Sequence, residues 1–168
     1  MDKHRIGFNN EQILNISFQP IEAKHNEFLF HLFKECRSDL AYISGLGEEQ
    51  ITGIIREQFI NEHKQLINMY PDGEFNIVML NEKPIGRFYI NYGKDIDHIM
   101  ELGFLEEYRG LGIGKKIINE VIKNAIEKNK IVHLQVPWFN QRAYILYEKL
   151  GFKVIEDGVV FRKMQYMS

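Results

Sequence analysis

The spacing of apolar residues changes several times along the chain, and each change marks a predicted element. From Leu14 to Phe18 apolar positions alternate with Asn15 and Ser17, the period of a half-buried strand, and Pro20 is expected to interrupt it. Phe28, Leu29, Leu32, Phe33 and Cys36 then share one helical stripe, with Lys24, Lys34 and Glu35 on the other face. Ser44, Gly45 and Gly47 break the chain. A second helical pattern runs through Ile51, Ile54, Ile55 and Phe59 toward Leu66 and Ile67, ending near Pro71, Asp72 and Gly73. Phe75 to Leu80 and Ile85 to Tyr92 are rich in β-branched and aromatic residues, and the four residues between them suit a hairpin loop. After a turn at Tyr92 to Asp95, a strand from Ile96 to Leu105 leads into Gly110, Gly112 and Gly114, so the middle of the chain reads as an antiparallel meander.

The clearest helix follows, with Ile113, Ile117, Ile118, Val121, Ile122, Ala125 and Ile126 on one face. Val132, Leu134 and Val136 alternate with His133 and Gln135 in a strand that ends at Pro137. A right-handed crossover should pair it parallel to the Ile96 strand. Asn140 can cap a helix whose apolar face is Ala143, Leu146, Tyr147 and Leu150, and Gly151 can close it. Phe152 to Ile155 and Val159 to Met167 make a last hairpin around Asp157 and Gly158.

Composition narrows the function more than the fold. A chain of 168 residues, 45% apolar and 26% charged, fits one globular domain, assigned to residues 1–168. The formal charge of -2 lacks the basic excess that binding to a phosphate backbone needs, so no nucleic-acid partner is expected. No apolar run approaches the ~18 residues that would span a bilayer, and the N-terminus has no apolar leader, so a cytoplasmic protein without a membrane partner is expected. Cys36 is the single cysteine, which excludes an intrachain disulfide framework and a cysteine-rich zinc site; no metal is expected. Its place on the apolar stripe predicts an inert core thiol, against a covalent route through it.

Three glycines at i, i+2 and i+4 between a strand and a helix leave backbone N–H groups bare where an anion could meet them. The dinucleotide fingerprint needs its third glycine at Lys115, and the P-loop pattern needs glycine at Arg109 and Ser or Thr at Lys116. Neither pattern is satisfied. The string Glu107, Tyr108, Arg109, Gly110, Leu111, Gly112, Ile113, Gly114, Lys115 instead resembles the acyl-CoA-binding turn of the GCN5-related N-acetyltransferase (GNAT) superfamily, whose core is [RQ]-x-x-G-x-[GA]. Asn140, Ala143, Leu146, Tyr147, Gly151 and Phe152 stand in register with that family's later N-x-x-A-x-x-L-Y-x-x-x-G-F segment. The resemblance is specific from about Phe75 to Phe152, and it departs at Glu106, where many relatives carry proline.

What the resemblance implies is a layered α+β fold: a mixed, mostly antiparallel sheet of about seven strands with a splayed parallel pair, flanked by about four helices. Acetyl-CoA would enter the splay as co-substrate, with Phe104 offering backbone to the pantetheine and thioester and the amides from Arg109 through Gly110, Leu111, Gly112, Ile113 and Gly114 to Lys115 holding the pyrophosphate. An N–H aimed at the carbonyl oxygen is worth ~3 kcal/mol in comparable sites. Pro137 would mark the point of divergence, and Asn140 could bond a pantetheine amide as well as cap its helix. The acceptor would be a primary amine, on a small molecule, an antibiotic or a protein. An amine attacks only when neutral, so a proton acceptor is needed. Glu101 is the first candidate, with His98 or a water chain as alternatives, and His133 is more simply structural. Tyr147 is the candidate acid for the departing thiolate. A non-catalytic acyl-CoA sensor would also keep the glycine turn, and the sheet edges leave room for a homodimer.

Overall fold

The computed structural model describes residues 16–37 and 45–167. Seven strands form one sheet in the order β1-β2-β3-β4-β5-β7-β6. These are β1 (Ile16–Pro20), β2 (Glu74–Leu80), β3 (Lys83–Tyr92), β4 (Ile96–Phe104), β5 (Ile131–Pro137), β6 (Phe152–Asp157) and β7 (Phe161–Tyr166). All neighbours run antiparallel except β4 and β5. Among the described residues four α-helices cover it: α1 (Asn26–Cys36), α2 (Glu48–Met69), α3 (Ile113–Glu127) and α4 (Gln141–Leu150). The expected α+β architecture is therefore the one observed. Pro20 does not interrupt the first strand but ends it, paired with Asn76, because β1 is an edge strand and one missing N–H there costs no interior ladder bond. Leu14, Asn15 and Ser44 lie outside the described residues.

Alternation along β3 separates two cores. Phe88 and Ile90 join Val78, Ile99 and Phe104 under α3, which buries Ile113, Ile117, Ile118, Val121, Ile122 and Ala125. Each large aliphatic side chain in that set contributes about 1.5–3 kcal/mol by leaving water. On the opposite face Ile77 and Met79 meet Leu29, Phe30 and Phe33 of α1 and Ile55 and Phe59 of α2. Arg87 and Tyr89 of β3 point to this same side, Arg87 lying 5.9 Å from the Phe33 ring centroid and Tyr89 6.0 Å from the His63 ring. The second core is thus apolar around its rim and polar at one end.

Helix ends follow their sequence signals. Asn140 Oδ1 accepts the Ala143 amide at 3.1 Å and caps α4, while Gly151, at φ +106°, closes it in the left-handed conformation that glycine adopts without strain. Beneath α3, Asp97 is buried and holds Lys130 Nζ at 3.0 Å, tying the start of β4 to the turn that precedes β5.

Candidate active site

The parallel pair opens where the sequence gives no cue. β4 and β5 are in register only from Ile96↔Ile131 to Ile99↔Leu134, although β4 continues to Phe104 and β5 to Pro137. Across the other edge of β4, Tyr89 pairs with Glu101 but Ile90 pairs with Ile99, which leaves Met100 without a partner on β3. Such a bulge bends and twists the strand that carries the extra residue. β4 therefore turns away from β5 immediately beyond Ile99. Pro137 is not the point of divergence, because β5 has already parted from β4 three residues earlier and Pro137 itself still pairs with Phe161 of β7.

At the far end of β4 the chain makes a 3-10 turn at Glu106–Tyr108 and enters α3. Gly110 and Gly112 sit at φ +75° and +84°, the left-handed region that other residues enter at a cost. Gly114 serves a different purpose: a Cβ there would stand 3.2 Å from Phe104 Cε2, so its bareness lets α3 lie close on β4. The first intrahelical bond runs from the Lys116 amide to the Gly112 carbonyl, leaving the amides of Gly112, Ile113, Gly114 and Lys115 without helical acceptors. Leu111 is exposed at the tip. The Arg109 amide is already given to the Glu106 carbonyl, so the open run begins at Gly110 and not at Arg109. Arg109 works through its side chain, donating from Nε to the Phe104 carbonyl at 2.9 Å and from Nη2 to Cys36 Sγ at 3.6 Å, which braces the end of β4.

Glu106 matters more than the sequence suggested. Its amide donates to Glu35 Oε2 at 2.9 Å, a bond that proline could not make, and this pins α1 to the turn. Cys36 is likewise not a stripe residue in the core: it is half-buried, 3.3 Å from where a Cβ on Gly103 would stand, and burial raises its thiol pKa. Arg142 at the start of α4, absent from the candidates read from sequence, places a guanidinium nitrogen 3.4 Å from the Cβ position of Gly110. A cation beside exposed amides suits an anion.

Beside the opening stands a polar group on the α1 and α2 side. Arg87, buried in β3, holds Glu101 Oε2 at 3.3 Å, and 26% of the Glu101 side chain stays exposed. The Glu62 carboxylate of α2 lies close enough for its charge to act on Glu101. Burial pushes Glu101 up to about 7; the Arg87 charge opposes the shift and the Glu62 carboxylate adds to it. Tyr147, buried in α4, has its phenol raised well above the ordinary range, first by burial and then by the charge of Glu101. Tyr147 packs in the core on the α3 side, its ring 6.0 Å from that of Phe152.

The other titratable candidates are elsewhere. His98 pairs with His133 in the closed part of the parallel pair and stacks on Tyr70 at 5.6 Å. Burial, then Lys163 and His133, lower it to about 4. His133 is buried and bonded through Nε2 to Gln165 Oε1 at 2.8 Å, a structural arrangement. The described residues hold no group of three or more His, Cys, Asp or Glu suited to a metal ion, and no helix among them is long and apolar enough to cross a membrane.

A family model, that of the acetyltransferase (GNAT) family, matches residues 26–152. The chain belongs to the GNAT family. Within it, N-alpha-acetyltransferase 50 of Danio rerio is 44% identical over 62 residues, 35% of this chain and 36% of that protein. An N-alpha-acetyltransferase of Sulfurisphaera tokodaii is 36% identical over 61 residues, again 35% and 36% of the two chains. These matches span about a third of the length of the curated relatives. Among solved GNAT structures, the PaiA N-acetyltransferase of Thermoplasma acidophilum in complex with coenzyme A superposes with a TM-score of 0.66 at 22% identity, covering 92% of this chain and all of that one. Arabidopsis thaliana Naa50, solved with the bisubstrate analogue CoA-Ac-MVNAL, gives 0.57 at 17% identity over 92% and 100%. At such identities these likenesses establish the GNAT fold alone.

Proposed function

We propose that the chain transfers an acetyl group from acetyl-CoA to a primary amine by direct attack within a ternary complex. The observation that carries this is the opening between β4 and β5 beyond Ile99 and Leu134, with unpaired helix amides at its end and Glu101 on the strand that turns away. The amides from Gly110 to Lys115, with Arg142 beside them, fit a pyrophosphate by charge and by the bareness of Gly110 and Gly112. The exposed backbone edge of β4 up to Phe104 fits an extended amide-bearing arm, as an added strand would pair there. Acetyl-CoA when bound supplies the activated acetyl group. Relatives named N-alpha-acetyltransferase make the α-amine of a peptide the first acceptor to test.

Glu101 takes the proton that makes the amine nucleophilic. With its pKa near 7, the carboxyl is a usable base at neutral pH without being so weak that it stays permanently ionised. Tyr147 faces the departing sulfur. A thiol has a pKa of about 8.5, below that of the raised phenol, so whole-proton transfer from Tyr147 runs uphill and its contribution is a hydrogen bond to the developing thiolate. The second proton of the amine then ends on the sulfur, and Glu101 releases the first to solvent. Purified protein with acetyl-CoA and a panel of amines, read by the appearance of free CoA thiol, tests the transfer. Loss of about 10²-fold or more in turnover in Tyr147→Phe with CoA affinity retained is expected. CoA binding without turnover on any amine would instead make the chain a sensor.

A further inference from the structure

We propose that Arg162 of β7 is a positioning residue for the cofactor cleft: it grips the rear of α4 through Trp138 and Tyr144, and so sets the start of that helix, with Asn140 and Arg142, against the cofactor. The identity of the cofactor rests on the acetyl-transfer reading, but the grip itself does not. Arg162 pairs with Val136 of β5 and Asp157 of β6, and the burial of Val136 in the core under α3 turns the Arg162 side chain to that same face. There the residue is only 8% exposed, and its Nε and Nη2 have no hydrogen-bond partner. Among the described residues no carboxylate reaches ion-pair distance from it, Asp157 across the ladder included. Arginine cannot shed its charge, so this is a cation buried without an anion.

Two aromatic rings take the place of the anion. The guanidinium carbon lies 3.8 Å from the Tyr144 ring centroid and 4.3 Å from that of Trp138, well inside the roughly 6 Å over which a ring attracts a cation. Both rings are themselves held. Tyr144 donates its hydroxyl to Glu148 Oε1 at 2.9 Å, one turn along α4. Trp138 donates indole Nε1 to the Gly158 carbonyl at 2.8 Å and its amide to the Val160 carbonyl at 3.2 Å. In sequence Trp138 and Tyr144 bracket Asn140, the cap of α4. Arg162 thus joins the β6–β7 hairpin, the segment leaving β5 and the first turns of α4 at one point.

The consequence falls on the other side of the helix. Arg142 and Tyr144 are two positions apart, about 200° around α4. Tyr144 therefore meets β7 while Arg142 places a guanidinium nitrogen 3.4 Å from the Cβ position of Gly110. The start of α4 is set between the hairpin and the glycine turn, and a shift at the first is felt at the second. A misplacement of about 1 Å can cost on the order of a hundredfold where groups must meet a ligand in register. The flat guanidinium is what the place requires, because a lysine ammonium would keep the charge but could not lie against two rings.

Calorimetry with coenzyme A reads this role without turnover. Arg162→Lys should raise Kd for coenzyme A and KM for acetyl-CoA about tenfold, and leave KM for a pentapeptide with a free α-amine within about twofold of native. A residue with only a structural role would lower the melting temperature and the bound stoichiometry but leave Kd of the folded fraction alone, and that result overturns the proposal. Trp138, 43% exposed, provides a second variant less exposed to misfolding: Trp138→Leu should raise Kd in the same way, and combining it with Arg162→Lys should add little further. A folded Trp138→Leu protein with native Kd, or full additivity of the two changes, also overturns it. Without any ligand, the α4 amides from Tyr144 to Leu150 should exchange hydrogen about tenfold faster in Arg162→Lys than in the native chain. Unchanged α4 exchange would overturn the grip alone, whereas a native protein that binds no coenzyme A would overturn the acetyl-transfer reading and the positioning role with it.

Discussion

Replacing Glu101 with Gln removes the proposed base and almost nothing else in volume. A positioned general base contributes about 10²–10⁴-fold, or roughly 3–5 kcal/mol of transition-state free energy. With Glu101 near 7, native kcat/KM should climb nearly tenfold per pH unit below neutrality and level off above about pH 8. The variant should lose that limb and sit at least a hundredfold lower on the plateau. Its fold can be checked independently. Near pH 5 the native carboxyl is protonated and Gln is close to isosteric with it, so the two melting curves should agree within a few degrees there. Above neutrality the native carboxyl, held near 7 where the unfolded chain titrates at 4.5, ionises at a cost to the folded state that Gln avoids, so the variant should melt no lower than the native protein there. The assay is release of free CoA thiol at saturating acetyl-CoA from about pH 5.5 to 9. A folded Glu101→Gln protein within threefold of native across that range, with the acid limb intact, would refute Glu101 as the base.

Two further outcomes test the surroundings. His98 is held near 4 where the unfolded chain titrates at 6.5, so the unfolded state binds the extra proton and stability is lost as pH falls from about 6.5 toward 4, by up to about 3 kcal/mol; His98→Gln should flatten that loss in denaturant melts at a series of pH values. Gly112→Ala meets no atom within 4 Å, but it puts a side chain at φ +84°, so it should cost about 1–2 kcal/mol of stability and weaken CoA binding by calorimetry about tenfold or more.

Much of this was legible in the residues because it is local. Period alone located the four helices, α3 most clearly, and Asn140 and Gly151 announced their caps. The glycine spacing together with the later Asn140 to Phe152 segment pointed to the GNAT family, which the match over residues 26–152 establishes. What escaped is what only long-range pairing decides. Glu62 looked like one more carboxylate on a mixed helix, because nothing in α2 itself says which turn will face β3 and Glu101. Arg87 read as a strand residue in a β-rich run, and its burial depends on α1 closing over it. Cys36 kept the helical period but faces Gly103, whose missing side chain creates the niche. The role of the Glu106 amide depends on Glu35, 71 positions away.

The bulge at Met100 has an effect larger than one residue suggests. Strict alternation along β4 would set Glu101 in phase with Ile99 and drive its carboxyl into the apolar layer beneath α3, where an ion has no place. The surplus residue resets the phase, so His98 before it and Glu101 after it look out on the same side. Deleting Met100 would keep every later side chain on its present side while straightening the strand. Ladder bonds to β5 could then run on past Leu134, and the cleft would zip shut: a protein with its layers in order and no room left between two of its strands.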